Sequence, residues 1–62
     1  MIDLIKLEKC IKARHHAMER FYDIDAAAED REKNLAMLER IKAGEANQED
    51  QEAAMDIIAR HG

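Results

Sequence analysis

From Met1 to Ala43 the chain contains neither proline nor glycine, and its only glycines are Gly44 and Gly62. These two residue types are the strongest local breakers of a helix, so most of the sequence offers nothing that must interrupt one. The remaining vocabulary agrees. Valine, threonine, serine and tryptophan are absent, while alanine, glutamate, lysine, arginine, leucine, isoleucine and methionine dominate. Apart from isoleucine these are strong helix formers, and the usual β-forming mix is missing. A charged fraction of 39% beside a hydrophobic fraction of 47% describes amphipathic helices with solvated faces rather than a disordered chain. The expected fold class is all-α.

Sixty-two residues allow a single domain over 1–62. A chain of this size buries only about 60% of its unfolded surface, and small domains compensate with disulfides, metals, oligomerisation or very regular packing. Cys10 is the only cysteine, so no disulfide can form within the chain. A lone thiol suits a reducing compartment and a small buried hydrophobe. Homodimerisation is the expected means of completing the core.

Periodicity places the helices. Leu4, Leu7, Ile11, Met18, Phe21 and Tyr22 share one face at 100° per residue, with His15 at its edge. Arg14 interrupts that face, and its stem can lie along apolar surface while its head reaches water. A second stripe contains Ile24, Ala28, Leu35, Leu38 and Ile41, with Arg31 between them. A single helix running through both would turn the second stripe roughly 160–200° from the first. A break within Asp23-Ile24-Asp25 avoids this, with an aspartate as N-cap. Arg40 and Lys42 then occupy a last turn, Gly44 serves as a left-handed C-cap, and Asn47-Gln48-Glu49-Asp50 resembles a capping box. Ala54, Ile57 and Ile58 give the final helix a short apolar face. The expectation is three helices near 3–22, 26–43 and 47–60, as an up-down-up bundle or a long helical hairpin. The stretch Leu38-Glu39-Arg40-Ile41-Lys42-Ala43-Gly44-Glu45-Ala46 resembles helix-to-helix punctuation in small bacterial and phage proteins.

Ile2, Ile5, Met37 and Met55 fall outside these stripes, and uncovered apolar positions mark interaction surfaces. Together with Leu7, Ile11, Met18 and Phe21 they form the expected dimer or partner interface. Charge is also uneven. Residues 1–22 carry five bases against three acids, and residues 23–62 carry eleven acids against five bases. Such opposition favours packing the first helix on the rest, or on a second chain.

Chemical motifs are sparse. His15 and Glu19 are spaced i, i+4 and His16 and Glu19 i, i+3, so each pair can meet on a helix. A zinc site needs three or four converging ligands, and Cys10, Asp23 and His61 lack motif spacing to these residues. His15, His16 and Glu19 are expected as surface or interface side chains, with a metal site or a pH-sensitive interface as the lesser readings, and no cofactor. Cys10 and His15 stand about 140° apart on one helix and cannot pair as nucleophile and base. No HExxH or ExxH pattern and no calcium loop occurs. A chain this short can hardly wall a pocket, so catalysis is not expected.

Glu45, Glu49, Asp50, Glu52 and Asp56 read either as a solvated face with favourable charges at a helix N-terminus or as an imitation of nucleic-acid phosphates. Direct nucleic-acid binding is not expected, because the last helix presents acids where a recognition helix presents bases and amides. No apolar run approaches the ~18 residues of a membrane span, and Met1-Ile2-Asp3-Leu4-Ile5-Lys6 lacks the pattern of a signal peptide. A cytoplasmic location follows. The functional expectation is a small regulatory or inhibitory protein that dimerises and docks a helical face on another protein. A structural subunit of a larger assembly or an acidic nucleic-acid mimic is the alternative, and a metal-binding module is the least favoured.

Overall fold

The computed structural model describes residues 2–62 and contains three helices: α1 (Leu4–Phe21), α2 (Ile24–Lys42) and α3 (Gln48–His61). Each begins at a polar side chain that takes up a free backbone N–H of the first turn. Asp3 Oδ1 accepts the Lys6 N–H at 3.1 Å. Asp23 Oδ1 accepts the Asp25 N–H at 3.4 Å. Asn47 Oδ1 accepts the Asp50 N–H at 2.8 Å, and Asp50 Oδ2 accepts the Asn47 N–H in return. The expected capping box is therefore present, with aspartate as its second member.

The break between α1 and α2 uses no glycine. Tyr22 and Asp23 alone adopt extended backbone, and the chain reverses across them. Asp23, not Asp25, is the cap, so α2 starts two residues earlier than expected. The α2–α3 corner is a Schellman closure: Gly44 N–H donates to the Ile41 carbonyl at 3.1 Å and Glu45 N–H to the Arg40 carbonyl at 2.9 Å. Gly44 stands at φ +74°, in the left-handed region that favours glycine at this position.

The helices pack as a bundle. Residues late in α1 face residues early in α2, as Arg14 meets Asp30 and His15 meets Ala27, so the pair is antiparallel. Helix α3 lies against α1 as well, its Arg60 and His61 sharing a cleft with Arg14, Ala17 and Met18. The core comprises Leu7, Cys10 and Ile11 from α1, Met37 and Leu38 from α2, and Ala54 and Ile57 from α3, flanked by Ile2, Leu4, Leu35, Ile41 and Ile58. Leu7, Ile11 and Leu38 are shielded almost completely by the chain's own helices.

Two placements correct the sequence expectation. The inward face of α2 runs through Ala27, Asp30, Asn34, Leu35, Met37, Leu38 and Ile41, so it keeps Leu35, Leu38 and Ile41 of the apolar stripe but is centred about 70° around the helix from it. On this face Asp30 accepts from the Arg14 guanidinium of α1, and Asn34 donates to Asp30. Met37 lies in the core, whereas Ile24 and Ala28 are exposed. Phe21 and Tyr22, expected on the packed face of α1, are exposed. The helices have 18, 19 and 14 residues, or about 27, 28 and 21 Å at 1.5 Å per residue. At the α1–α2 turn α3 supplies only Arg60 and His61, which share a cleft with Phe21 and Tyr22 and leave both rings exposed.

Candidate interaction surfaces

Of the eight residues expected at an interface, Leu7, Ile11 and Met37 lie in the chain's own core, and Ile2 and Met18 are half-buried. Ile5, Phe21 and Met55 remain in solvent. Tyr22 and Ile24 join them, and these five side chains keep between 62% and 74% of their surface exposed. Fully uncovering one such side chain forgoes about 1.5–3 kcal/mol of burial, so five in one small chain is a feature that packing within the monomer does not account for.

They fall at separate places. Met55 lines an open groove of about 760 Å³ with Ile2, Lys6, Ile41, Ala46 and Ile58. This groove lies where the start of α1, the end of α2 and the middle of α3 converge. At the α1–α2 turn, Phe21 and Tyr22 border the cleft that also contains Met18, Arg60 and His61. Ile24 follows as the first residue of α2. The Arg20 guanidinium stands 5.9 Å from the centre of the Phe21 ring, a distance at which a cation interacts with an aromatic face. Ile5 stands alone on the outer side of α1.

The histidine group takes a structural arrangement. His15 Nδ1 lies 3.3 Å from the Ala27 carbonyl, tying α1 to α2. Its Nε2 lies 3.3 Å from Glu19 Oε1, and His16 Nδ1 lies 3.7 Å from the same oxygen. Both nitrogens of His15 thus face acceptors of the chain itself. Lys12 and Arg31 flank the same shallow cleft, a positive setting for any cation. Among the described residues, no three histidine, cysteine, aspartate or glutamate side chains converge as a metal site would require. Cys10 is a buried free thiol.

Two charged clusters fix helix positions. Arg14 donates to both oxygens of Asp30 at 2.8 and 3.3 Å, and Asn34 Nδ2 adds a bond of 3.0 Å. Arg40 donates to both oxygens of Asp50, each at 2.8 Å. Those bonds hold the Asp50 carboxyl below the ordinary carboxylate value, against partial desolvation, with the Asn47 N–H and the guanidinium charge contributing further. The Arg40 guanidinium is raised in turn, first by its bond to Asp50. Among the described residues, every buried side-chain nitrogen and oxygen has a hydrogen-bond partner.

These features define a small helical-bundle protein whose distinctive surfaces are apolar ends and charged flanks. The chain belongs to the T4 RIIA.1-like protein family, whose model matches residues 1–62. The T4 designation is consistent with the bacterial or phage source suggested by the sequence. No curated protein and no solved structure matches the chain. Among the described residues, no helix is long and apolar enough to cross a membrane.

Proposed function

We propose that this RIIA.1-like protein is a small regulatory or inhibitory interaction module of the cytoplasm, which associates with a second copy and docks a helical surface on another protein. The observation that carries this reading is the set of large exposed apolar side chains, Ile5, Phe21, Tyr22, Ile24 and Met55, on a bundle whose centre is already filled. Phe21, Tyr22 and Ile24 cluster at the α1–α2 turn, and clustered apolar surface that folding leaves uncovered is the ordinary mark of an interaction site. Catalysis has no comparable support, because the histidine group is engaged internally and the thiol is buried.

The test is solution mass by light scattering over a range of concentrations, for the wild type and for Phe21→Asp with Ile24→Asp. Self-association of the wild type, weakened in a variant of unchanged helicity and melting temperature, supports a docking role for the turn. A chain that stays monomeric at all concentrations overturns the self-association. An exposed-residue variant that unfolds shows instead that these side chains serve the fold.

A further inference from the structure

Helix α1 presents an outer face on which Lys12, Ile5, His16, Lys9 and Arg20 fall within about 80° of arc. All five are exposed. Among the described residues, Lys9, Lys12 and Arg20 have no ion-pair partner in the chain. Helix α3 presents the converse: Glu49, Glu52 and Asp56 occupy about 60° of its outer arc, and Glu45 extends the line into the preceding connection. All four are exposed as well, with Asp56 bonded by Arg60 at 3.0 Å and Glu52 by Gln48 at 3.2 Å, both across the open surface of their own helix.

The two rows match when read in opposite directions. From Arg20 backward, cations or imidazole recur after four, four and three residues, at His16, Lys12 and Lys9. From Glu45 forward, acids recur after four, three and four residues, at Glu49, Glu52 and Asp56. Each row spans twelve residues, about 16 Å of helix on α1, whereas Glu45 precedes the start of α3 at Gln48. They cannot meet within one chain, because each lies on the side of its helix turned away from the core.

We infer that a second copy of this chain is the occupant of the α1 outer face, its α3 lying along α1 so that the row Lys9, Lys12, His16 and Arg20 meets the row Glu45, Glu49, Glu52 and Asp56. This deepens the self-association in the proposed function and rests on it. Read in the same direction the rows match as well, Lys9 with Glu45, Lys12 with Glu49, His16 with Glu52 and Arg20 with Asp56, so the charges pair the two faces in either direction. A polyanion would find the same cations, but would also meet the outward acids of residues 23–62. A second copy neutralises a row of those acids instead. Individual exposed ion pairs are weak, so the charges select the partner, and exposed Ile5 supplies apolar contact beside them.

Two charge reversals test the pairing of the rows: Lys12→Glu with Arg20→Glu, and Glu45→Lys with Glu52→Lys. None of the four residues belongs to the core, and circular dichroism checks that helicity is kept. Wild-type self-association, read by light scattering, is expected to weaken as salt rises to about 0.5 M. Each reversed variant alone is expected to associate at least about tenfold more weakly, and an equimolar mixture of the two to regain mixed association. Two folded variants that associate like the wild type overturn this pairing and leave association through the apolar ends standing. Reversal on α1 that acts while reversal on α3 does not also overturns it. A wild type that is monomeric throughout removes the pairing and the self-association together.

Discussion

Asp50 accepts two hydrogen bonds of 2.8 Å from Arg40 while its Oδ2 also receives the backbone N–H of Asn47, so a single carboxylate closes the α2–α3 corner and caps α3. Only 12% of its side-chain surface is accessible, against 47% for Arg40. The carboxyl is held below its ordinary value by these bonds. A group whose folded value is depressed stabilises the fold above its unfolded value, about 3.9 for aspartate, and loses that contribution as pH falls through the folded value. Asp50→Asn retains an oxygen for the Asn47 N–H but not the charge. Its melting temperature is expected to lie below that of the wild type at neutral pH, with the gap narrowing below about pH 4. A gap that is constant from pH 7 to strongly acidic solution would show that the charge pair contributes nothing.

The rotated face of α2 gives a second prediction. Met37 is buried against Leu7, Ile11 and the α3 residues of the core, whereas Ala28, one member of the apolar stripe, is exposed. Met37→Ala is expected to cost about 2–3 kcal/mol, as other buried methionine truncations do. Ala28→Glu is expected to stay within about 0.5 kcal/mol of the wild type. Urea denaturation measures both. The reverse order of effects would mean that α2 packs by its apolar stripe after all.

What the sequence revealed depended on how local each signal was. The capping box at Asn47 and the glycine at 44 act within a few residues, so the second corner could be read directly, whereas three polar and apolar residues in a row left the first break open within Asp23-Ile24-Asp25 and α2 begins earlier than expected. The face of α2 could not be read, because periodicity weighs apolar residues and misses a polar pair that packs inward. Arg14 was visible as an interruption, but nothing nearby in sequence says that Asp30 turns to meet it. Ile5 and Met55 stood off their stripes and are exposed. Phe21 and Tyr22 lay on the right face of α1 and are exposed nonetheless, since only Arg60 and His61 of α3 come beside them, a fact of three-dimensional placement rather than of pattern.

Gly44 offers a clean measure of backbone strain. A Cβ built there meets nothing within 4 Å, so Gly44→Ala introduces no clash and alters only the cost of holding φ at +74°. That cost is expected to be about 1 kcal/mol. For a domain of this size it corresponds to a fall of about 4–8 °C in melting temperature. Gly44→Asn is expected to lose less, since asparagine tolerates the left-handed region better. Equal losses for alanine and asparagine would place the effect elsewhere than in backbone conformation.

Arg14 and Asp30 retain 29% and 22% side-chain exposure, between the screened pairs of an open surface and the dry pairs of an interior. Removing one member leaves the other half-buried and unpaired, which is costlier than the net value of the pair. Arg14→Met alone, or Asp30→Leu alone, is therefore expected to destabilise by about 1–2 kcal/mol, a figure reduced from the fully buried case for solvent access. The double variant places two apolar side chains in the same α1–α2 contact and leaves no unpaired charge. It is expected to be more stable than the sum of the single losses by at least about 1 kcal/mol, the coupling that a double-mutant cycle isolates for residues in direct contact. Simple additivity in urea denaturation would mean that the pair lies in water and does not set the rotation of α2. In that case Met37 would owe its burial to the apolar contacts alone.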